Sequence, residues 1–150
     1  MTDSNSKDKP EILQFIKDQK KPIKFDCIED LLNDISLNDL NSAETTQFIY
    51  SGNNEFPYDA REQWTDSCNL LALKEGVVLG YNRNDKTIEG FKTAGFNIIT
   101  AAELIDKLEN DALTVNEIKN TLILMPSAEL SRARGGFHCM SMPLYRSDID

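Results

Sequence analysis

Between residues 68 and 125 the sequence alternates short apolar, β-prone runs with stretches of helical spacing, and few folds accommodate that order. Residues 68–73 and 76–81 are two such runs, and Lys74-Glu75-Gly76 between them is a compact hairpin signal. Asn84 and Asp85 suit the start of a short helix that turns Ile88 and Phe91 inward, with Gly95 placed to end it. Residues 96–99 then read as a buried strand. Residues 101–108 read as a second helix, with Leu104, Ile105 and Leu108 on one side, and 121–125 as a strand closed by Pro126. A helix crossing between strands belongs to a layered α/β or α+β arrangement. The expected class is α/β.

Upstream, Pro10 opens a stretch in which Ile12, Leu13, Phe15 and Ile16 form one apolar face through about residue 20, predicting a helix that Pro22 ends. Ile28, Leu31, Leu32 and Ile35 predict a second helix, with Asp26 as its cap and Cys27 at its start. Residues 45–50 have the composition of a strand, followed by a turn at 51–54 and a polar loop over 53–66 that carries Trp64. That tryptophan either pins the loop to the core or serves a ligand. Residues 1–8 read as a polar tail.

Charge narrows the function. Asp and Glu number 25 against 16 Lys and Arg, a formal charge of −9, which leaves no counterion-release drive toward nucleic acid. Neither a signal-peptide pattern nor a run of membrane-spanning length stands in the sequence. The 3 cysteines, Cys27, Cys68 and Cys139, are widely spaced and odd in number, which fits a reducing cytosol better than a disulfide framework. With 1 histidine and no clustered thiols, a conventional metal site has few ligands to draw on.

Chemistry concentrates in residues 132–143, which hold two arginines, the pair Gly135-Gly136, the histidine and Cys139. Two glycines allow positive φ and close backbone approach to a ligand. Residues 137–144 read as a strand that begins beside this loop. Cys139 is then either a thiolate nucleophile near a cation or a structural cysteine. On a strand, His138 and Cys139 would face opposite ways, which sets His138 aside as the acid/base for this thiol.

The run Glu129-Leu130-Ser131-Arg132-Ala133-Arg134-Gly135-Gly136-Phe137-His138-Cys139-Met140-Ser141-Met142-Pro143-Leu144 closely resembles the C-terminal signature of arginine deiminases. Arg61-Glu62-Gln63-Trp64 with Asp66 and Asn69 resembles the loop before a strand pair of that family. Gly76-Val77-Val78 with Tyr81, Arg83 and Asn84 resembles the next strand and turn, and Gly95-Phe96-Asn97-Ile98-Ile99 the strand after the connecting helix. The likeness runs from about Phe48 to Arg146. Ala133, Phe137, His138, Ser67 and Cys68 depart from the family's usual residues, and 101–120 resembles an insertion.

The resemblance implies a pentein fold, a ring of five ββαβ modules, of which this chain supplies about the last two plus two extra N-terminal helices. It implies hydrolysis of L-arginine, or a related guanidine, to citrulline and ammonia without metal or organic cofactor. Cys139 would be the nucleophile, forming a covalent amidino-thioether, and Arg134 with Gly135 would contact the substrate. In the family the histidine and the carboxylates that hold the guanidinium come from upstream modules. Residues 9–150 are thus expected to be the C-terminal part of such a domain, inactive alone. The upstream modules or a homo-oligomer would complete the site. The alternative is a non-catalytic pentein-derived module that binds a partner.

Overall fold

The computed structural model describes residues 11–126, 130–133 and 135–145, in two compact units, residues 1–48 and 49–150. The predicted tail, 1–8, lies outside the described residues.

The first unit departs from expectation. Its opening stretch is a β-hairpin and not a helix: β1 (Ile12–Gln14) pairs antiparallel with β2 (Ile23–Phe25), Ile12 opposite Phe25. The reversal begins with a turn in which the Gln19 amide donates to the Ile16 carbonyl (3.1 Å), and Asp18 takes φ 69, a conformation Asp tolerates better than most residues. The second predicted helix is present as α1 (Ile28–Asp34), continued by a π-helical turn over Ile35–Asp39. Residues 45–50 are not a strand; the Thr46 amide is taken up by Asn33 Oδ1 (2.8 Å).

The second unit follows the alternation from residue 71 on; the expected strand at 68–73 begins only at Leu71, and the expected polar loop 53–66 contains a short helix. A 3-10 turn (Ser51–Asn54) and the short helix α2 (Tyr58–Gln63) lead into β3 (Leu71–Lys74) and β4 (Val77–Tyr81). Then come α3 (Asp85–Thr93), β5 (Asn97–Thr100), α4 (Ala101–Glu109) and β6 (Thr121–Met125). The strands form one sheet in the order β3-β4-β6-β5. β3 runs antiparallel to β4, while β6 lies parallel to both β4 and β5.

Connection handedness places the helices. The crossover β4–α3–β5 steps outward past β6 and the crossover β5–α4–β6 steps back, so right-handed connections put the two helices on opposite faces. The two cores agree. Val77 and Ile123 pack with Leu104 and Ile118 on the α4 face, whereas Leu122 packs with Ile88 and Phe91 on the α3 face. β6 is therefore apolar on both sides, as a central parallel strand must be.

The helix ends are closed by local sequence. After α3 the Phe96 amide bonds the Phe91 carbonyl and the Gly95 amide bonds the Lys92 carbonyl, both at 3.0 Å, with Gly95 at φ 85. The Phe91 and Phe96 rings meet edge to face at 5.1 Å, completing a Schellman stop. Thr100 and Glu103 form a capping box on α4. No helix among the described residues is long and apolar enough to cross a membrane.

The region 137–144 is a further correction. It is a turn followed by irregular backbone, closed by Met140 N–H to Gly136 O and Ser141 N–H to His138 O, each 3.2 Å. The four strands already pair with one another, and 137–144 joins neither edge of the sheet.

Candidate functional site

The segment before β3 is built around a buried carboxylate. Glu62, 1% exposed, stands in the last turn of α2 and aims its oxygens at the start of α3. One oxygen accepts the Lys86 amide (3.0 Å); the other accepts the Thr87 amide and the Thr87 hydroxyl (2.8 Å each). First-turn amides have no partner within their own helix, so this acid supplies what α3 lacks and favours its N-terminal dipole. Thr87 Oγ1 in turn accepts the Gly52 amide at 2.8 Å. Gly52 sits at φ 57, with the Tyr58 carbonyl carbon 2.2 Å from where a Cβ would be, so only glycine fits. Trp64 is 65% exposed, and the loop is pinned through Glu62 instead.

This anchoring sets the loop 64–70 beside the carboxyl end of β4. Because β3 runs antiparallel to β4, with Leu71 opposite Leu79, the residues just before β3 sit where β4 finishes. A Cβ on Gly80 would come within 2.7 Å of Leu70 Cδ2. The last register pair of β4 and β6, Tyr81 and Met125, lies at the same end, where ligands of α/β sheets commonly bind.

Cys139 is brought to this end by four contacts. The Tyr81 hydroxyl donates to the Gly135 carbonyl at 2.8 Å, and the Tyr81 and Phe137 rings lie 4.4 Å apart, tilted at 50°. Gly136 is pressed onto Asn69 so tightly that an added Cβ would fall 2.4 Å from the Asn69 Cβ. Asn69 Nδ2 donates to Cys139 Sγ at 2.7 Å, close even by the standard of N–H···O bonds. Upstream on the same loop, Arg83 Nη1 reaches the buried Ser131 hydroxyl at 2.7 Å.

An open concavity of about 470 Å³ results, lined by Gln63, Asp66, Cys68, Asn69, His138 and Cys139. Asp66 adopts φ 57, its carbonyl accepts the Asn69 amide (3.1 Å), and its buried Oδ2 has no hydrogen-bond partner among the described residues. An orphaned carboxylate oxygen of this kind favours a cationic or hydrogen-bond-donating ligand. Burial, with the charges of Asp66 and Cys139 added, pushes the Tyr81 hydroxyl above its usual pKa, so it stays protonated as a donor. Cys27 is different. The Asp30 amide favours its thiolate, but the Asp30 and Glu29 carboxylates and burial outweigh that and raise the thiol above its ordinary range.

The expected site residues divide. Cys139 is exposed at the concavity, whereas the Gly135 carbonyl is taken up by the Tyr81 hydroxyl and Gly135 does not line it. Arg134 lies outside the described residues. Gly136 is required for close packing and has no positive φ, the reverse of the sequence argument. The strand-based separation of His138 from Cys139 does not hold, since the two share a turn and line one concavity. Asn69 carried the resemblance without an assigned role, and only its contact across 70 residues of chain reveals it; Asp66, expected as a solvated surface acid, has a buried oxygen instead.

Comparison with known proteins agrees with the resemblance. A family model described as arginine deiminase matches residues 5–146. The chain is 34% identical over 142 residues to an arginine deiminase of Mycoplasma capricolum, covering 85% of this chain and 29% of that protein. It is 33% identical over 150 residues to one from Oenococcus oeni, with 97% and 29% covered. A third, from Staphylococcus aureus, is 36% identical over 114 residues, with 76% and 22% covered. The chain therefore spans less than a third of the length of these curated relatives.

Proposed function

This chain belongs to the arginine deiminase family, and we propose that it carries the nucleophile of a guanidinium hydrolase in which Cys139 attacks L-arginine. In the first step a bond forms between Sγ and the guanidinium carbon, the bond to one terminal nitrogen breaks, and that nitrogen takes a proton and leaves as ammonia. In the second step water adds to the amidino carbon, the C–S bond breaks, and citrulline departs with the thiolate restored. Atoms balance as arginine plus water to citrulline plus ammonia, with no electron acceptor and no metal in either step.

The observation that carries this reading is the seat of Cys139 at an open concavity by the carboxyl end of β4, held by Asn69 Nδ2. Asp66, with a buried oxygen unpaired among the described residues in the same wall, suits a cationic substrate. Arg134 and Gly135 are assigned to substrate contact from the resemblance. A loop that places reacting atoms from a rigid sheet supplies orientation.

In the wider reading, residues 9–150 are the C-terminal part of a pentein domain working in the cytosol, and β3–β4–α3–β5 has the ββαβ order of one module. The remaining modules would bring the histidine acid/base and the carboxylates that clamp the guanidinium. The test is to mix this chain with the complementary upstream segment of the Mycoplasma capricolum relative and assay citrulline. Turnover that needs both polypeptides and vanishes in Cys139→Ser is expected. Undiminished turnover in Cys139→Ser overturns the assignment, and no turnover in any mixture favours the binding-module alternative.

A further inference from the structure

We infer that Asn69 is the donor that holds the Cys139 sulfur in its reactive form, a role that rests on Cys139 being the nucleophile. Three features of the structure converge on it. Asn69 Nδ2 lies 2.7 Å from Cys139 Sγ. The asparagine is itself fixed, its amide bonded to the Asp66 carbonyl at 3.1 Å and its side chain clamped by Gly136, where no Cβ fits. And the pair lines the open concavity, so the sulfur that receives the hydrogen bond is the one a ligand meets.

An amide N–H aimed at sulfur stabilises a thiolate more than a thiol, because the hydrogen bond to an anion is the stronger one. It also fixes the direction of the lone pair that must reach an electrophilic carbon. The Asn69–Gly136 clamp shows that this donor is held to the loop by packing as well as by the bond itself. A purely structural asparagine would need only the packing.

The two roles separate in Asn69→Asp, which keeps the shape of the side chain and replaces the donor with an anion. The probe is iodoacetamide on the full chain at neutral pH, with alkylation at Cys139 and Cys27 read by peptide mass spectrometry as a ratio of rates. Wild type is expected to favour Cys139. Losing the hydrogen bond that orients the attacking sulfur is expected to lower the alkylation rate about threefold. Asn69→Asp should lower the ratio by at least that factor, with its thermal unfolding midpoint close to wild type. Where Asn69→Asp folds poorly, Asn69→Ala is read instead, with the same fall of about threefold expected. A wild-type ratio in the folded variant overturns the role of Asn69 while leaving Cys139 as nucleophile. Wild-type chain that alkylates Cys139 no faster than Cys27 overturns the nucleophile reading itself.

Discussion

Gly136 and Asn69 touch so closely that a Cβ on the glycine would lie 2.4 Å from both Cβ and Cγ of the asparagine. Something must move to admit any larger residue. Gly136→Ala is expected to cost about 1–3 kcal/mol through overpacking and to shift the Cys139 turn, read from urea unfolding and from a change in Cys139 alkylation. Gly135→Ala, whose Cβ would meet Met140 at an ordinary 3.7 Å, should cost well under that. Equal effects at the two positions would contradict the close approach.

Glu62 holds the loop 64–70 through three hydrogen bonds to the start of α3. Glu62→Ala strands the Lys86 and Thr87 amides and should destabilise by about 3 kcal/mol, whereas Glu62→Gln keeps one acceptor and should lose less. Chemical denaturation with both variants orders them. A near-neutral Glu62→Ala would mean the loop is held some other way.

Tyr81→Phe removes the bond to the Gly135 carbonyl while keeping the ring against Phe137, an expected loss of about 1 kcal/mol. The same residue sets an alkaline limit. Its folded pKa is raised above the ordinary 10.0, first by burial and then by the charges of Asp66 and Cys139. Its share of stability is thus fully present below pH 10.0 and lost as pH rises through the folded value. Unfolding measured across that range should show a shallower alkaline decline in Tyr81→Phe than in wild type.

Asp66 combines φ 57 with a buried oxygen that has no partner among the described residues. Asparagine tolerates the same backbone and carries no charge, so Asp66→Asn should hold stability or gain up to about 1 kcal/mol. Asp66→Ala meets the backbone strain and should lose about 1 kcal/mol. In the completed assembly both should weaken arginine binding, read as a raised KM, if the orphaned oxygen meets the substrate cation.

The second unit was legible because its signals are local. The continuous apolar runs of β4 and β6, the Gly95 stop and the Thr100–Glu103 box each act within a few residues. The first hairpin was not, since Ile12, Leu13, Phe15 and Ile16 fit helical spacing as well as two strand faces, and the turn at Asp18 decides the matter. Residues 137–144 have strand-like composition but pair with no strand, so hydrogen bonds within the turn win. Cys139 was found through its motif. Asn69 required the fold, because nothing local marks a donor whose acceptor lies 70 residues away.

The central claim is a covalent intermediate on Cys139, and mass spectrometry can test it directly. The assembly of this chain with the complementary upstream segment is quenched in acid during turnover of L-arginine, digested and mapped. The account predicts an amidino group on the peptide holding Cys139, none on those holding Cys27 or Cys68, and loss of both adduct and citrulline in Cys139→Ser. Citrulline formed at an undiminished rate by Cys139→Ser, or an adduct on Cys68 alone, would contradict it.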